Sequence, residues 1–302
     1  MSRSELLFID DSIWVLQTLT GIAAYDFDFR PVFACRTPWR RPAPLNAVAR
    51  LGPIVEYGEL WRVASGQGIK LIHTPDEHCR ASLLSEWYPL LSDLTPRSRV
   101  FANSPSVDEV EAEFGWPLFM KGDRQTSRHR RALSIVSGRD EFIVAVQSAG
   151  RDSILRWQPL AFREFVPLRR VEDELPERIP SSFEFRTFWW KGVLVGTGRY
   201  WWEGARYEWS EQEQASGLAV AREAARRVNV PFLAVDIAQT LDGRWIVIDC
   251  NDGQEAGYAG ASPIGIWQRI ITLERQAAEH GALISCISPP PSGGGVSSAS
   301  AP

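Results

Sequence analysis

The sequence of 302 residues predicts a mixed α/β (α+β) fold, and two kinds of local signal support this class. Two pairs of apolar runs are joined by the turn sequences Lys191-Gly192 and Asp242-Gly243, and each pair is typical of a β-hairpin. Between the hairpins, residues 211–228 place small and apolar side chains at helical spacing. Because 44% of the residues are hydrophobic, the chain can fill a core of this mixed type.

Composition and charge exclude several classes of protein. The 33 basic and 37 acidic residues give a net charge of −4, which offers no general argument for binding nucleic acid or an anionic membrane. No apolar run approaches the roughly 20 residues of a membrane-spanning helix, and the N-terminus lacks a signal-peptide pattern. The 4 cysteines are scattered without Cys-x-x-Cys spacing, so neither a disulfide framework nor a zinc knuckle is indicated. These features predict a soluble, cytoplasmic protein without a membrane partner.

Residues 1–103 predict a small N-terminal α/β lobe. The lobe contains three strand candidates, which are residues 6–9, 31–34 and 69–72. The proline-rich residues 38–44 predict a loop. A helix is predicted over residues 77–91, because its leucines and Trp87 recur at helical spacing.

A short segment of this lobe also raises the question of a metal site. His73, His78 and Cys79 lie close together around the sequence Thr-Pro-Asp-Glu. We disfavour zinc there, because the three residues are too close in the chain and lack distant partners.

Residues 104–167 predict a small subdomain. Ser106 and Glu109 have the spacing of a capping box, and Gly115 ends the short helix that they begin. The strand that follows this helix ends on Lys121. In chain order, the elements after the helix are a strand over 116–121, a polar and basic loop over 122–131, a helix over 140–148, and strands over 154–157 and 160–166.

Residues 168–284 predict a large subdomain, and residues 285–302 predict a disordered tail because they are rich in Pro, Ser, Gly and Ala. The elements of the large subdomain are strands over 183–190 and 193–201, a helix over 211–228, strands over 232–239 and 245–251, and a final helix. Ser262 is the predicted N-cap of that final helix, Pro263 its first residue, and Gly281 its end.

The second hairpin carries Asp236, Asp249 and Asn251, which we call the acidic hairpin residues. Side chains alternate along a strand, so Asp249 and Asn251 share one face, and pairing through the turn can bring Asp236 near them. Two carboxylates and an amide oxygen on a rigid sheet suit a hard cation with oxygen ligands, above all Mg²⁺. A structural alternative stays open, in which the acids merely sit at the strand ends of an ordinary hairpin.

The order of these elements resembles the ATP-grasp superfamily over roughly residues 105–280. In that family a lysine that ends a Pro-apolar-apolar-x-Lys strand contacts the nucleotide phosphates, and Lys121 in Pro117-Leu-Phe-Met-Lys121 matches it. A Glu-aromatic-apolar segment supplies backbone groups to adenine, and Glu164-Phe165-Val166 is similar to it. The acidic hairpin residues match the family's Mg²⁺ ligands in kind and spacing.

Two arginines extend the resemblance. Together with Lys121, Arg186 and Arg199 resemble a clade of these proteins that is named for two arginines and a lysine. Alternation puts Glu184 and Arg186 on one face of their strand, and Thr197 and Arg199 on one face of the next. Both arginines are candidate catalytic residues, because a planar guanidinium binds phosphate or carboxylate at two points. A salt bridge of Arg186 with Glu184, or with another acid across the sheet, is the structural alternative.

The sequence departs from the family pattern in two places. Asp249 stands where the family usually has Glu, and its side chain is shorter by one methylene. The loop that covers the phosphates is usually rich in glycine and small residues, whereas here it is crowded with Arg124, Arg128, Arg130 and Arg131. Three interpretations of these arginines stay open: they can be solvated, contact the phosphates or contact nucleic acid.

The resemblance implies an ATP-dependent carboxylate–amine ligase with ATP and Mg²⁺ bound between its subdomains. Such an enzyme forms an amide or peptide-like bond through an acyl phosphate and releases ADP and phosphate. The expected partners are small-molecule or peptide carboxylate and amine substrates. Two alternatives remain, which are a phosphotransferase on the same fold and a catalytically inactive ATP-binding regulatory module.

Overall fold

The computed structural model describes residues 4–10, 13–37, 44–52, 54, 56–126, 129–172 and 177–287. Within these ranges the chain forms three four-stranded β-sheets and seven α-helices, which confirms the mixed α/β class. No helix in the same ranges combines the length and the apolar character that a membrane crossing requires.

The N-terminal sheet has the strand order β1-β2-β3-β4. Its strands are β1 (Ser4–Asp10), β2 (Ile13–Thr18), β3 (Leu45–Arg50) and β4 (Ile69–Leu71). The first pair is antiparallel and the other two are parallel, with helix α1 (Tyr57–Gly66) between β3 and β4. The predicted strands at 6–9 and 69–72 are confirmed, whereas β2, β3 and α1 were missed.

Residues 31–34 form a turn, so the strand predicted there is wrong. The N–H groups of Val32 and Phe33 both donate to the carbonyl of Phe29, at 3.2 and 2.9 Å. Pro31 has no N–H to donate and favours such a turn. The apolar run is instead explained by aromatic packing, since the rings of Phe29 and Phe33 lie 6.1 Å apart. Residues 38–43 of the predicted loop lie outside the described residues.

The single helix predicted over 77–91 is broken into α2 (Pro75–Ser82) and α3 (Leu84–Leu91). Thr74 caps α2 in a full capping box, and Leu83 is extended between the two helices. The break is stabilised from outside the segment, because Asp123 accepts from the N–H groups of Leu84 and Ser85 at 2.9 and 2.8 Å. The sequence-based helix was therefore right in type and wrong in continuity.

The second sheet, which we call the small sheet, has the order β5-β8-β6-β7. Its elements in chain order are β5 (Ser98–Phe101), α4 (Val107–Phe114), β6 (Leu118–Gly122), β7 (Ile135–Val136), α5 (Arg139–Ala149) and β8 (Leu160–Glu164). The strand predicted over 154–157 is wrong, because residues Leu155–Trp157 form a 3₁₀ turn. The Asp152 carboxylate accepts from the N–H groups of Ile154 and Leu155 and so begins that turn.

The third sheet, which we call the large sheet, is antiparallel throughout and has the order β10-β9-β11-β12. Its elements in chain order are β9 (Glu184–Trp190), β10 (Val193–Arg199), α6 (Glu211–Val228), β11 (Phe232–Gln239), β12 (Trp245–Asp252) and α7 (Pro263–Ile287). Both predicted hairpins and the helix over 211–228 are confirmed. The final helix continues through Gly281, so its predicted end is wrong, and residues 288–302 of the predicted tail lie outside the described residues.

The two faces of the large sheet have different neighbours. Phe185 and Val235 belong to the core with α6, α2 and α3. On the opposite face, Phe188 and Phe232 pack against α7 and strands of the N-terminal sheet. The remainder of that second face, which includes Arg186 and Asp236, lies under the small sheet and lines a cavity.

Candidate active site

A cavity of about 1000 Å³ lies between the small sheet and the large sheet. Tyr25 of the N-terminal lobe also lines it. All sequence-predicted site residues except Arg199 line this cavity, and they are Lys121, Glu164, Phe165, Val166, Arg186, Asp236, Asp249 and Asn251. Tertiary folding therefore brings together residues that are far apart in the chain.

The strand register places three charged residues in one row across the large sheet. Asp236 on β11 pairs with Arg186 on β9 and with Asp249 on β12. Directly paired side chains of an antiparallel sheet project from the same face. Asn251 pairs with Ala234, one step further along that face.

Arg186 and Asp236 form a buried two-point salt bridge. The Arg186 Nε and Nη2 atoms donate to the two carboxylate oxygens of Asp236, each at 2.7 Å. The Nη1 atom donates to the carbonyl of Gly257 at 2.8 Å. Burial by itself lowers the pKa of Arg186, but attraction from Asp236 outweighs it and raises that pKa. Burial raises the pKa of Asp236, while Arg186 opposes that shift. The partner of Arg186 is thus an acid across the sheet and not Glu184.

Lys121 and Asp249 connect the two sheets that enclose the cavity. Lys121 Nζ, at the end of β6, donates to Asp249 Oδ2 on β12 at 2.7 Å. The lysine side chain is 2% exposed and the aspartate side chain 18% exposed, so the ammonium is desolvated while the carboxylate still faces the cavity. This contact joins a candidate phosphate-binding cation directly to a candidate metal ligand.

The residues present fit Mg²⁺, although with fewer direct protein ligands than the sequence suggests. No three His, Cys, Asp or Glu side chains within the described ranges form a metal-binding group. Asp236 has both oxygens engaged by Arg186, whereas among the described residues Asp249 Oδ1 accepts only the N–H of Cys250, at 3.1 Å. The buried Nδ2 of Asn251 has no hydrogen-bond partner within the described part of the chain. Mg²⁺ commonly takes one or two carboxylates together with other oxygen ligands, so a carboxylate oxygen of Asp249 and the amide oxygen of Asn251, rather than its nitrogen, can hold it beside a nucleotide.

Arg199 does not join this group, which corrects its predicted placement with Arg186. Arg199 pairs with Phe185, whereas Arg186 pairs with Gly198. A bulge between Leu194 and Gly196 shifts the alternation along β10. Because paired residues share a face, Arg199 projects from the side of Phe185, away from the cavity.

The far end of the cavity is apolar and suits a planar base. Glu164, Phe165 and Val166 lie at the end of β8 and line it. Its apolar walls come from both sheets and are formed by Pro117, Phe119, Ile135, Leu168, Ile246 and Ile248. Buried Arg163 links β8 to β12, because its Nη1 donates to the carbonyl of Ile248 at 2.7 Å.

The loop after β6 contributes His129, which sequence reasoning did not single out. The His129 Nε2 and the Tyr200 hydroxyl are 3.0 Å apart, and both side chains line the cavity. Burial, with repulsion from Arg178 and Arg186, lowers the pKa of His129 to about 4, so the ring is neutral and can accept from Tyr200. Of the loop arginines, Arg124 and Arg131 line the cavity, Arg130 binds Asp152, and Arg128 lies outside the described residues.

Glu184 is a second cavity residue that sequence reasoning did not assign. One of its oxygens accepts from the Ser182 hydroxyl at 2.9 Å and from the Trp201 ring N–H at 3.0 Å. Burial, together with repulsion from Asp236, raises its pKa to about 8. In the sequence, the position of Glu184 in the site is indicated by its place in an apolar strand two residues before Arg186, which puts both side chains on one face.

His73 and His78 connect the N-terminal lobe to the end of β12. The Nδ1 atoms of both rings lie 2.9 Å from Oδ2 of Asp252. His73 Nε2 accepts the N–H of Phe232 and His78 Nε2 lies 2.8 Å from Arg124 Nη2, so each ring donates to Asp252 through Nδ1. The two histidines therefore share a distant partner that the sequence does not reveal, the carboxylate of Asp252.

Comparisons with known proteins agree with this arrangement. A RimK domain ATP-grasp protein from Sphaerobacter thermophilus DSM 20745 superposes with a TM-score of 0.50 at 16% identity, covering 70% of this chain and 73% of that one. The D-alanine–D-alanine ligase from Bacillus anthracis complexed with ATP gives 0.54 at 13% identity, with 78% and 81% covered. The corresponding ligase from Coxiella burnetii gives 0.57 at 14% identity, with 82% and 74% covered. No curated protein sequence matches the chain.

These similarities show that the chain has the fold of an ATP-grasp protein. A family profile matches residues 104–270, which is more than half of the chain, and it describes the ATP-grasp domain of family 3 in the clade named for two arginines and a lysine. The chain therefore belongs to this family.

Proposed function

We propose that this protein is an ATP-dependent carboxylate–amine ligase that acts in the cavity between the two sheets. The single observation that supports the proposal best is the contact between Lys121 and Asp249, which joins the sheets at 2.7 Å inside the cavity. A desolvated ammonium beside a partly exposed carboxylate is an arrangement that a phosphate–metal complex can enter, because each charge has a new partner there.

In this proposal the nucleotide lies along β12. Adenine occupies the apolar end near the segment Glu164-Phe165-Val166, and the phosphates extend towards Asn251. Lys121 binds phosphate oxygens, and Asp249 with Asn251 holds Mg²⁺, while Asp236 lies behind them in its salt bridge. Bound Mg²⁺ would supply Lewis-acid charge neutralisation of the phosphates. Arg186 keeps the charged row in register and presents its guanidinium edge to the cavity.

The proposed reaction has two steps, for which positioning and charge matter more than covalent catalysis. A substrate carboxylate attacks the γ-phosphorus of ATP, the bond to the β-phosphate oxygen breaks, and ADP leaves. An uncharged amine then attacks the acyl carbon of the acyl phosphate, inorganic phosphate leaves with the electron pair of the broken carbon–oxygen bond, and this phosphate takes the proton that the nitrogen loses. The amide product keeps the new carbon–nitrogen bond.

The site is tested first by thermal unfolding with and without Mg·ATP. A ligand at a hundredfold excess over its Kd stabilises the folded state by about 2.7 kcal/mol. We expect this stabilisation for the wild type and its loss in Lys121→Ala and in Asp249→Asn. Lys191→Ala is the matched control, because Lys191 forms a surface salt bridge with Glu274 outside the cavity.

The reaction is tested by hydroxylamine trapping, since hydroxylamine converts an acyl phosphate to a hydroxamate. We expect hydroxamate and ADP when a carboxylate panel is supplied with Mg·ATP, and an amide when an amine replaces hydroxylamine. A stable phosphorylated product without any amine requirement would identify a phosphotransferase. Binding of Mg·ATP without turnover of any panel member would identify a regulatory module instead.

A further inference from the structure

The cavity has a second end, beyond Asn251, where the amine substrate still needs a binding partner. β12 passes from Ile246 at the apolar end to Asn251, and the chain then turns to Glu255, which also lines the cavity. Tyr25 of the N-terminal lobe lines the same cavity. A nucleotide whose base lies at Ile246 presents its terminal phosphate towards Glu255, so the attacking groups must enter at this end.

Glu255 is a buried carboxylate whose hydrogen-bonding capacity is only partly used. It is 8% exposed, and its Oε1 accepts the N–H of Ile54 at 3.0 Å. The nearest arginine atom, Nη1 of Arg124, is 3.9 Å from Oε1, which is too far for a hydrogen bond. His78 Nε2 is 3.7 Å from the same oxygen and is already engaged by Arg124. Within the described residues, Oε2 accepts no hydrogen bond.

The other buried carboxylates of the cavity either bind a cationic side chain or lie towards its apolar end. Asp236 and Asp249 each bind a cationic side chain at 2.7 Å. Glu184 accepts from two neutral donors. It is at the start of β9 and lies nearer to the apolar end of the cavity than Asp236 does. Among the described residues, Glu255 is therefore the buried cavity carboxylate beyond Asn251 that lacks a directly bonded cation.

We infer that Glu255 binds the ammonium group of the amine substrate, which is consequently a primary-ammonium compound such as an amino acid or the N-terminus of a short peptide. The ammonium becomes the attacking amine when it transfers one proton to the Glu255 carboxylate. This inference rests on the proposed function for the order of the substrates along the cavity. A primary ammonium has three N–H donors and can reach the free Oε2 directly, as Arg124 does not. Charge-assisted hydrogen bonds of this kind are the strong ones in a desolvated site.

The raised pKa of Glu255 is consistent with a buried carboxylate that has no directly bonded cation. Burial raises the pKa of Glu255 to about 8, while Arg124 opposes the shift and Asp252 adds to it. An ammonium that binds at Oε2 stabilises the ionised carboxylate, so binding supplies the charge partner that the free protein lacks.

The inference is tested by calorimetry on the full chain with the carboxamides of the amino acids that have uncharged side chains as probes. These amides carry an ammonium and no carboxylate, so they cannot act as acyl donors. We expect at least one amide to bind the wild type in the presence of Mg²⁺ and a nonhydrolysable ATP analogue. In Glu255→Gln, which keeps an acceptor for Ile54 but loses the charge, its Kd should rise about tenfold or more, equal to about 1.4 kcal/mol.

Three controls separate recognition from general damage. The N-acetylated amides, which have no ammonium, should bind neither protein. Glu274→Gln, outside the cavity, should leave the Kd of the amide unchanged. Glu255→Asp keeps the charge one methylene further back, so it should weaken the amide less than Glu255→Gln does. It also serves as the test variant if circular dichroism shows that Glu255→Gln does not fold.

The outcomes for the inference and for the proposed function differ. Equal binding of the amides to wild type and Glu255→Gln, or binding of the ATP analogue without any amide binding to the wild type, overturns the ammonium site. Failure of the ATP analogue to bind overturns the proposed function. In that case, amide binding measured without nucleotide still decides for or against Glu255.

Discussion

Charged residues at the centre of the cavity are matched one to one before any ligand binds. Arg186 neutralises Asp236 through two hydrogen bonds, and Lys121 neutralises Asp249 through one. The first pair is buried and bidentate, and the second is partly exposed. We therefore regard the first pair as a fixed support and the second as the pair that ligand binding separates.

Removing one member of the fixed pair should destabilise the protein strongly. Arg186→Met leaves Asp236 buried without a counter-charge, and breaking a buried pair in this way costs about 3–5 kcal/mol. Adding Asp236→Asn should recover most of the loss, which a urea-denaturation double-mutant cycle measures. Arg244→Met, which breaks a surface pair with Asp242, is the control and should cost at most about 1 kcal/mol. A cost for Arg186→Met as small as that of the control would contradict the assignment.

The raised pKa of Glu184 should make stability depend on pH. Its usual pKa of 4.5 is raised to about 8 in the folded protein by burial and by Asp236. Between these values the folded state holds a proton that the unfolded state has lost, so the free energy of unfolding falls as pH rises from 4.5 to 8. Glu184→Gln lacks this dependence and should gain stability relative to wild type as pH increases across the window.

The measurement is urea denaturation of both proteins at pH values near the two ends of that window. Exposed Glu203→Gln, on the same cavity, corrects for the loss of one negative charge. If the difference between Glu184→Gln and wild type stays constant with pH, the carboxyl is not held in its protonated form by the fold.

Individual elements of the large sheet are fitted closely to the segment that follows β12. A Cβ atom on Gly198 in β10 would lie 2.0 Å from the backbone nitrogen of Ala261 and 2.2 Å from the carbonyl carbon of Gly260. The same segment supplies the Gly257 carbonyl that accepts from Arg186. The absence of a side chain at Gly198 therefore helps to position the charged row.

A methyl group at this position should be destabilising. Gly198→Ala must displace backbone atoms, which typically costs about 1–3 kcal/mol. Gly58→Ala is the matched control, because a Cβ there meets no heavy atom within 4 Å and α1 gains helix propensity of up to about 1 kcal/mol. The midpoints of thermal unfolding of both variants and the wild type test this prediction. Equal midpoints for Gly198→Ala and wild type would refute the close fit.

At the scale of the molecule, the small and large sheets enclose the cavity, and residues that follow β2 in the N-terminal lobe also line it. We propose a division into an N-terminal lobe, a small subdomain and a large subdomain, close to the predicted units 1–103, 104–167 and 168–284. β5 (Ser98–Phe101) belongs to the small sheet although it precedes the first predicted boundary. Helices α2 and α3 lie in the N-terminal unit yet pack on the large sheet, so these units share a core.

The contact between the N-terminal lobe and β12 should depend on Asp252. Asp252→Ala removes the acceptor of His73, His78 and Gln254, and each buried donor left without a partner costs about 1–3 kcal/mol. We expect a loss of several kcal/mol in urea denaturation and faster amide hydrogen exchange in α2. Asp242→Ala, in an exposed turn, should cost at most about 1 kcal/mol and leave exchange in α2 unchanged. Unchanged exchange in α2 would show that other contacts hold the lobe.

Local patterns in the sequence determined much of this structure. Apolar runs joined by tight turns are sufficient for both hairpins, and apolar periodicity is sufficient for α6. The shared face of Asp249 and Asn251 follows from the alternation of side chains along a strand. These features depend on residues a few positions apart, so one chain is enough to predict them.

Only the tertiary structure decided which of the charged residues meet. A bulge in β10 turns Arg199 away from Arg186, and the register of β9 on β11 gives Arg186 to Asp236 rather than to Glu184. Asp252 is separated in sequence by 179 and 174 residues from the two histidines that it binds. Registers, bulges and such distant contacts are set by the packing of whole sheets, and local sequence patterns do not encode them.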